Sequence, residues 1–546
     1  MIHNLNLARS FIGIMFSFNS MLNKKRWTML LCGTLCLLMF NPGLSLASLV
    51  TETPWPTLGW TSSIPEGQGM DSRKLAGVFD FVKTKEPNIH NLLIVRNGFL
   101  VADAYFYPFA SESRHDVASI TKSVTSTLVG IAVRKGLIRS VEEPLLKFFP
   151  ERKPANLDER KKSITLRDLL AMRSGLQCVA SPVEVTLMQM MACNDWIQFM
   201  LDLPMAAKPG EVFLYNSGGV HLLSAIIRKT TGLSELAFAR AELFGPLGIS
   251  DVEWPFDLQG IDNHGWGDLQ LHPRDMAKIG YLFLNRGRWD RKTILNPEWI
   301  EAATRPFPGT RAGNYGYLWW LDEDYGYSAH GRGNQRIYIL PRMNMVVVIT
   351  GGGLESPDRI LKEHILPAVV SPSAPLPLNP DGAALLRAKI EEAGRAPKIP
   401  PGVAPAWPEI AVRINGRWIR LEPNSLGLGE LKLDFGAGGE ATLTTKQPPA
   451  FGNIDTVYKL GFDGTCRMGK GRAGLTATGK GMWTSPRTIS LEIDEIGNIN
   501  KFQVEMTFEE SGMTGIIQEK TGLGRIPIRG VFRERPLSGI IPKPRS

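Results

Sequence analysis

Nine of the chain's 38 prolines fall between Ser371 and Pro408. A stretch so dense in proline can neither continue a helix nor occupy the middle of a sheet. It cuts the 546-residue chain into two parts that must each find a core, as expected for a length above the usual single-domain size. The helix-like run "AALLRAKIEEA" interrupts it, and we read residues 371–408 as a linker.

The two parts carry different patterns. Beyond the linker, "AVRINGRWIRL" with an Asn415-Gly416 turn, then "ELKLDF", "TISLEI" and "KFQVEMTF", alternate apolar and polar residues. Period two predicts strands, so residues 409–546 are expected to form a small antiparallel β barrel or sandwich. Before the linker, "NLLIVRNGFLVADAYF" (91–106) reads as a hairpin around Asn97-Gly98. Ile120, Val124, Leu128 and Ile131 then recur at helical spacing until Gly136. From 140 to 300 helices and loops dominate, with a Thr165–Asp168 capping pair and a helix from Pro273 towards Gly287. Strands return at 315–321, 335–341 and 345–350, and a last helix is expected after Pro357. Strands at both ends with helices between predict an α+β domain over 48–370, its antiparallel sheet closed by the first and last segments around a helical insertion.

Residues 1–47 have their own logic. They contain Arg9, Lys24, Lys25 and Arg26 and no acidic residue. The basic triplet precedes the apolar run "WTMLLCGTLCLLMF", and small residues follow up to Ala47. This is the layout of a secretory signal peptide cleaved after Ala47, with Met21 as an alternative start. The apolar run is shorter than the roughly 20 residues a bilayer span requires. The expectation is a periplasmic or secreted protein with no stable membrane span after cleavage; a retained N-terminal anchor is the other reading. Removing the leader lowers the net charge from +9 to +5, too mild a balance to argue for nucleic acid as a partner. In an oxidising compartment Cys178 and Cys193 would either close a disulfide, worth roughly 3 kcal/mol for a loop of this length, or remain two buried thiols.

The segment with chemical content is "DVASITKSVTS" (116–126), which places Ser119 and Lys122 three residues apart at a strand-to-helix transition. On a helix these positions share a face, about 5–6 Å apart at Cβ. A serine hydroxyl needs a base, and a lysine desolvated by Ala118, Ile120, Val124 and Val129 can serve as one. The helix start also aims N–H groups at a developing oxyanion. In "PGEVFLYNSGGVHLLSAIIRKTTG" (209–232), Tyr215 beside an ammonium is a candidate base or proton shuttle, or else a half-buried core tyrosine. In "SAHGRGNQRIYILP" (328–341) a glycine-rich turn enters a strand; it is either a second oxyanion donor near Gly333 or a plain hairpin turn. The sequences "GTCRMGKG" and "GLTATGKG" lack the serine or threonine of a phosphate loop and read as hairpin turns. No histidine pair has helical metal-ligand spacing, so neither a metal nor a cofactor is expected.

Taken together, Ser119-x-x-Lys122, Tyr215-Asn216-Ser217 and His330-Gly331-Arg332-Gly333, with "LRDLLAMRSGL", "PRDMAKIGYLFLNRGRW" and "YGYLWW", resemble the serine β-lactamase-related hydrolases over residues 60–370. This family includes class C β-lactamases, D-alanyl-D-alanine peptidases, esterases and 6-aminohexanoate-dimer hydrolases. The resemblance implies a β-lactamase-like domain and acyl transfer through Ser119, with Lys122 and Tyr215 moving protons. Ser217, His330, Gly331, Arg332 and Gly333 would bind the substrate, a small molecule or short peptide. Ser217 stands where many class C enzymes have asparagine, and His330-Gly331-Arg332 stands in place of Lys-Thr-Gly. These departures favour an ester or amide over a β-lactam, with Arg332 or Arg336 left to pair with a substrate carboxylate. The alternative is a penicillin-binding-like sensor that acylates without efficient turnover.

Overall fold

The computed structural model describes residues 55–180, 184–307, 314–396, 406–447, 455–472, 476–496, 499–522 and 524–533. The predicted signal peptide lies outside the described residues.

Helix α1 (Ser72–Lys85) starts where the Asp71 carboxylate accepts from the N–H groups of Arg73 and Lys74, and it buries Leu75, Val78, Phe79 and Val82 at helical spacing. Strands β1 (Ile89–Arg96) and β2 (Phe99–Tyr105) form the expected hairpin. Its turn residues Asn97 and Gly98 have φ of 51° and 82°, the left-handed pair that a two-residue turn needs. Helix α2 (Ile120–Arg134) runs through the interior and stops before Gly136. Helix α3 (Ser217–Thr231) is capped by the Asn216 side chain on Gly219 N, and α4 (Pro273–Leu284) starts at a proline as expected.

Strands β3 (Trp320–Asp322), β4 (Gly326–Gly331), β5 (Gln335–Leu340) and β6 (Met345–Gly351) complete a sheet of order β2-β1-β6-β5-β4-β3, antiparallel throughout. The first and last strands of the domain pair at its centre, Leu92 opposite Ile349 and Ile94 opposite Val347. All eight residues of β1 are buried because helices cover both faces of the sheet. Leu93 and Val95 join a core with α2, α3 and α4, and Leu92 and Ile94 join a second core with α1. The near-continuous apolar runs of β1 and β6 are the sequence mark of that two-sided burial. Each such side chain contributes about 1.5–3 kcal/mol.

The proline-rich stretch is partly a packed element. Helix α5 (Pro380–Ala393) lies against α1, with Leu386 in the second core and Lys83–Glu392 bridging at 2.9 Å. Ser371 O accepts from the buried Arg96 guanidinium at 2.6 Å.

Ten strands follow among the described residues: β7 (Trp418–Leu421), β8 (Glu430–Phe435), β9 (Glu440–Lys446), β10 (Asp455–Gly461), β11 (Arg467–Lys470), β12 (Thr476–Trp483), β13 (Thr488–Glu495), β14 (Asn500–Phe508), β15 (Gly512–Glu519) and β16 (Gly524–Phe532). Pairing of Gly461 with Lys480 closes nine of them into a barrel, and β11 pairs with β12 beside that closure. Leu431, Leu433, Leu443, Leu491, Val504 and Met506 fill the interior, each flanked by outward polar residues, and Leu460 joins them ahead of the buried Gly461.

Three local expectations differ from the structure, the first being "GLTATGKG", read as a hairpin turn, whose residues from Thr476 onward lie inside β12. Residues 409–414 form a helix, not a strand, because Ile410, Ala411 and Ile414 point to one side at helical spacing while Val412 is 71 % exposed. The strand expected over 315–321 is confined to β3, since Leu318 turns the chain with φ of 62°.

Candidate active site

Ser119 occupies the cap position of α2 and is half-buried, whereas Lys122, one turn on, is buried. The helical spacing brings Lys122 Nζ to 2.7 Å from Ser119 Oγ and 2.8 Å from the carbonyl oxygen of Trp266. The Tyr215 ring, in the extended approach to α3, lies against the same ammonium, with Nζ 4.9 Å from its centroid. Trp320 stacks behind that ring at 6.3 Å, and Trp320 in turn stacks on His330 at 5.4 Å. Residues 119, 122 and 215 therefore lie together around the Lys122 side chain.

The backbone delivering Ser119 is constrained. Ala118 has φ of 48°, a region disfavoured for any residue with a Cβ. The Asp116 carboxyl group holds it there by accepting from Ala118 N at 2.7 Å. Such a turn lets the serine stand at the helix end rather than along the helix side.

The glycine-rich turn meets this segment at a different residue from the one expected. Gly331 faces it: a Cβ there would run into Val117 O and Ala118. Gly333, with φ of 73°, lies instead against Gly351 O and Thr521. Gly331 rather than Gly333 is thus the glycine of this turn that packs against the residues leading to Ser119. The other substrate contacts expected here are also redirected. His330 Nε2 is 2.8 Å from Ser328 Oγ, and burial, then the Arg336 charge, keeps its ring neutral. Arg332 is committed to the barrel, donating to Asn500 Oδ1 at 2.8 Å and to Thr521 Oγ1. Arg336 is buried and donates to Gln335 O and Asn334 Oδ1. Both guanidinium groups thus have protein partners, Arg332 on the barrel and Arg336 on its own turn. Ser217 sits buried in the first turn of α3, its N–H donating to Glu184 Oε2 at 3.3 Å, and its hydroxyl has no partner among the described residues.

The disulfide weighed between Cys178 and Cys193 is not formed. The two thiols face separate carbonyls, of Tyr215 at 3.7 Å and of Gln189 at 3.3 Å. Among the described residues no helix is long and apolar enough to cross a membrane, and no cluster of His, Cys, Asp or Glu is placed to hold a metal ion. A cavity of about 850 Å³ between α1, α5 and the barrel is not lined by Ser119, Lys122 or Tyr215.

Sequence reasoning missed the carboxyl groups under the site. Asp116 stood inside the segment that drew attention to Ser119, and Asp268 inside "HGWGDL". Asp268 accepts from His264 Nδ1 at 2.7 Å. Burial first, and the Asp268 charge second, push the Asp116 carboxyl up to about 8. The unfolded carboxyl titrates near 3.9. Between these values the folded state retains a proton that the unfolded state has lost, so the contribution of Asp116 to stability falls as pH rises from about 4 to about 8. Asp116→Asn keeps an oxygen for Ala118 N and cannot ionise. Its melting temperature relative to the parent is expected to rise steadily between pH 4.5 and pH 8; a difference that does not change with pH would refute this account.

Comparison with known proteins agrees with this geometry. The family model for beta-lactamase matches residues 66–368, more than half of the chain. A 6-aminohexanoate-dimer hydrolase of Paenarthrobacter ureafaciens is 24% identical over 282 residues, 47% of this chain and 70% of that protein. Beta-lactamase-like protein 2 of Dictyostelium discoideum is 25% identical over 234 residues, 36% and 39% of the two chains. Among solved structures, the octameric penicillin-binding protein homologue from Pyrococcus abyssi covers 84% of this chain and 100% of its own at 18% identity, with a TM-score of 0.42. The buried lysine on the serine hydroxyl, the sheet closed by its first and last strands and the match across 66–368 lead to one assignment: this chain belongs to the beta-lactamase family.

Proposed function

We propose that the protein is an exported serine hydrolase that forms an acyl-enzyme at Ser119 and acts on a carboxylic ester or amide. The observation that carries this reading is the 2.7 Å contact between Ser119 Oγ and the buried Lys122 Nζ. As an ammonium, Lys122 donates to both Ser119 Oγ and Trp266 O. As a neutral amine it still donates to Trp266 O, and the serine contact reverses so that the hydroxyl donates to the nitrogen lone pair. In that state Ser119 attacks the substrate carbonyl carbon while its proton passes to Lys122, and the Ser119 and Arg332 amides receive the oxyanion. Lys122, with Tyr215 beside it, returns the proton to the leaving oxygen or nitrogen. Water then attacks the acyl carbon as the same groups take its proton, and that proton passes to Ser119 Oγ as the ester bond breaks and the acid leaves.

Two features support a substrate without a carboxylate anchor. Arg332 and Arg336 are held by protein partners, and the wall beside Ser119 is the stack of Tyr215, Trp320 and neutral His330. That one relative is named a 6-aminohexanoate-dimer hydrolase supports hydrolysis as the reaction class. Incubation with a fluorophosphonate should add one phosphonyl mass, and peptide mapping should place it on Ser119; a label on another residue, or none, overturns the reading. Export rests on the layout of residues 21–47. Protein recovered from outside the cytoplasm is expected to begin at Ser48, and an intact leader would refute cleavage.

A further inference from the structure

The barrel reaches both sides of Ser119 from one end. On one side, Arg332 follows directly on Gly331, which abuts Ala118. Its guanidinium is gripped by Asn500 Oδ1 at 2.8 Å and by Thr521 Oγ1, with Glu519 Oε1 at 3.7 Å. Asn500 opens β14 and Thr521 follows β15, so both lie at the same barrel end. The backbone there is packed as closely: a Cβ at Gly353 would strike Lys520 O, and one at Gly333 would lie 3.4 Å from Thr521 Cγ2. On the other side, Asp494 in β13 lies 3.4 Å from His90 Nε2. His90 Nδ1 is 2.8 Å from His115 Nε2, and His115 Nδ1 is 2.8 Å from Asp116 O. The next link is the Asp116 carboxyl group on Ala118 N. His90 and His115 are 1 % and 3 % exposed, so this line of contacts is shielded from water along its length.

From these contacts we infer that the barrel is a structural part of the active site: Asn500 and Thr521 are positioning residues that, through Arg332, fix the 331–332 amide against Ser119. The inference rests on the reading of Ser119 as the nucleophile. A carbonyl acceptor would lose most of an oxyanion bond if this amide moved by a fraction of an ångström, and displacements near 1 Å cost about 10²-fold in rate. Neither barrel side chain touches the substrate in this scheme. Their removal should therefore lower the rate of bond formation and leave substrate affinity almost unchanged.

The experiment uses the full-length mature chain and two readouts: the second-order rate of fluorophosphonate labelling, and kcat and KM on p-nitrophenyl acetate. Asn500→Ala combined with Thr521→Val is expected to slow labelling and lower kcat by about 10- to 100-fold, with KM within twofold; Thr521→Ser, which keeps the hydroxyl, should retain parental rates. If the double variant does not fold, the labelling rates of Asn500→Ala, Arg332→Ala and their combination replace it. Action through Arg332 requires that Asn500→Ala add nothing once Arg332 is gone. Parental labelling of the barrel variants, or full additivity in the cycle, overturns the inference while leaving Ser119 as nucleophile. If Ser119→Ala is still labelled at the parental rate, the reading beneath it fails as well.

Discussion

Ser119→Ala is expected to lower kcat by at least about 10⁴-fold and to abolish fluorophosphonate labelling, the loss typical when the nucleophile of a coupled catalytic unit is removed. The reason is local. Ser119 Oγ is the atom held 2.7 Å from Lys122 Nζ, at the cap position of α2. The substitution deletes one half-buried oxygen and leaves Lys122 Nζ its bond to Trp266 O. Stability should hardly change. Turnover of an ester by Ser119→Ala at more than one hundredth of the parental rate would show that another group carries the chemistry.

Lys122→Met separates catalysis from stability more sharply. The side chain is 1 % exposed, and methionine has similar length and shape without the charge. Loss of a general base or acid costs about 10²–10⁴-fold in kcat. Replacing a buried charge by a well-packed apolar group is often neutral or stabilising, against which stands about 1–3 kcal/mol for the Trp266 carbonyl left without its donor. The two effects are of similar size, so we expect a melting temperature within about 4 °C of the parent together with near-complete loss of turnover. A variant that unfolds would make Lys122 structural. One that folds and hydrolyses esters at the parental rate would remove it from the mechanism.

Helix α2, its stop at Gly136, the Asn97-Gly98 hairpin and the Thr165–Asp168 capping box were readable because each depends on residues within a few positions of one another. The same holds for Ser119 and Lys122, which one helical turn brings together. The helix at 409–414 was misread because a six-residue stretch carries too few apolar positions to distinguish period two from period 3.6.

What the sequence by itself determined is the set of parts: the α+β pattern, the strand-rich second half, and a serine with its lysine at a helix start. What only the tertiary structure decided is where those parts meet. Gly331 rather than Gly333 packs against the residues leading to the serine, Arg332 turns to Asn500 and Thr521 of the barrel, and the Asp268 charge reaches the buried Asp116. Hydrogen bonds and desolvation are fixed by distances between atoms far apart in the chain, 168 residues for Arg332 and Asn500, and local patterning carries no information about such distances.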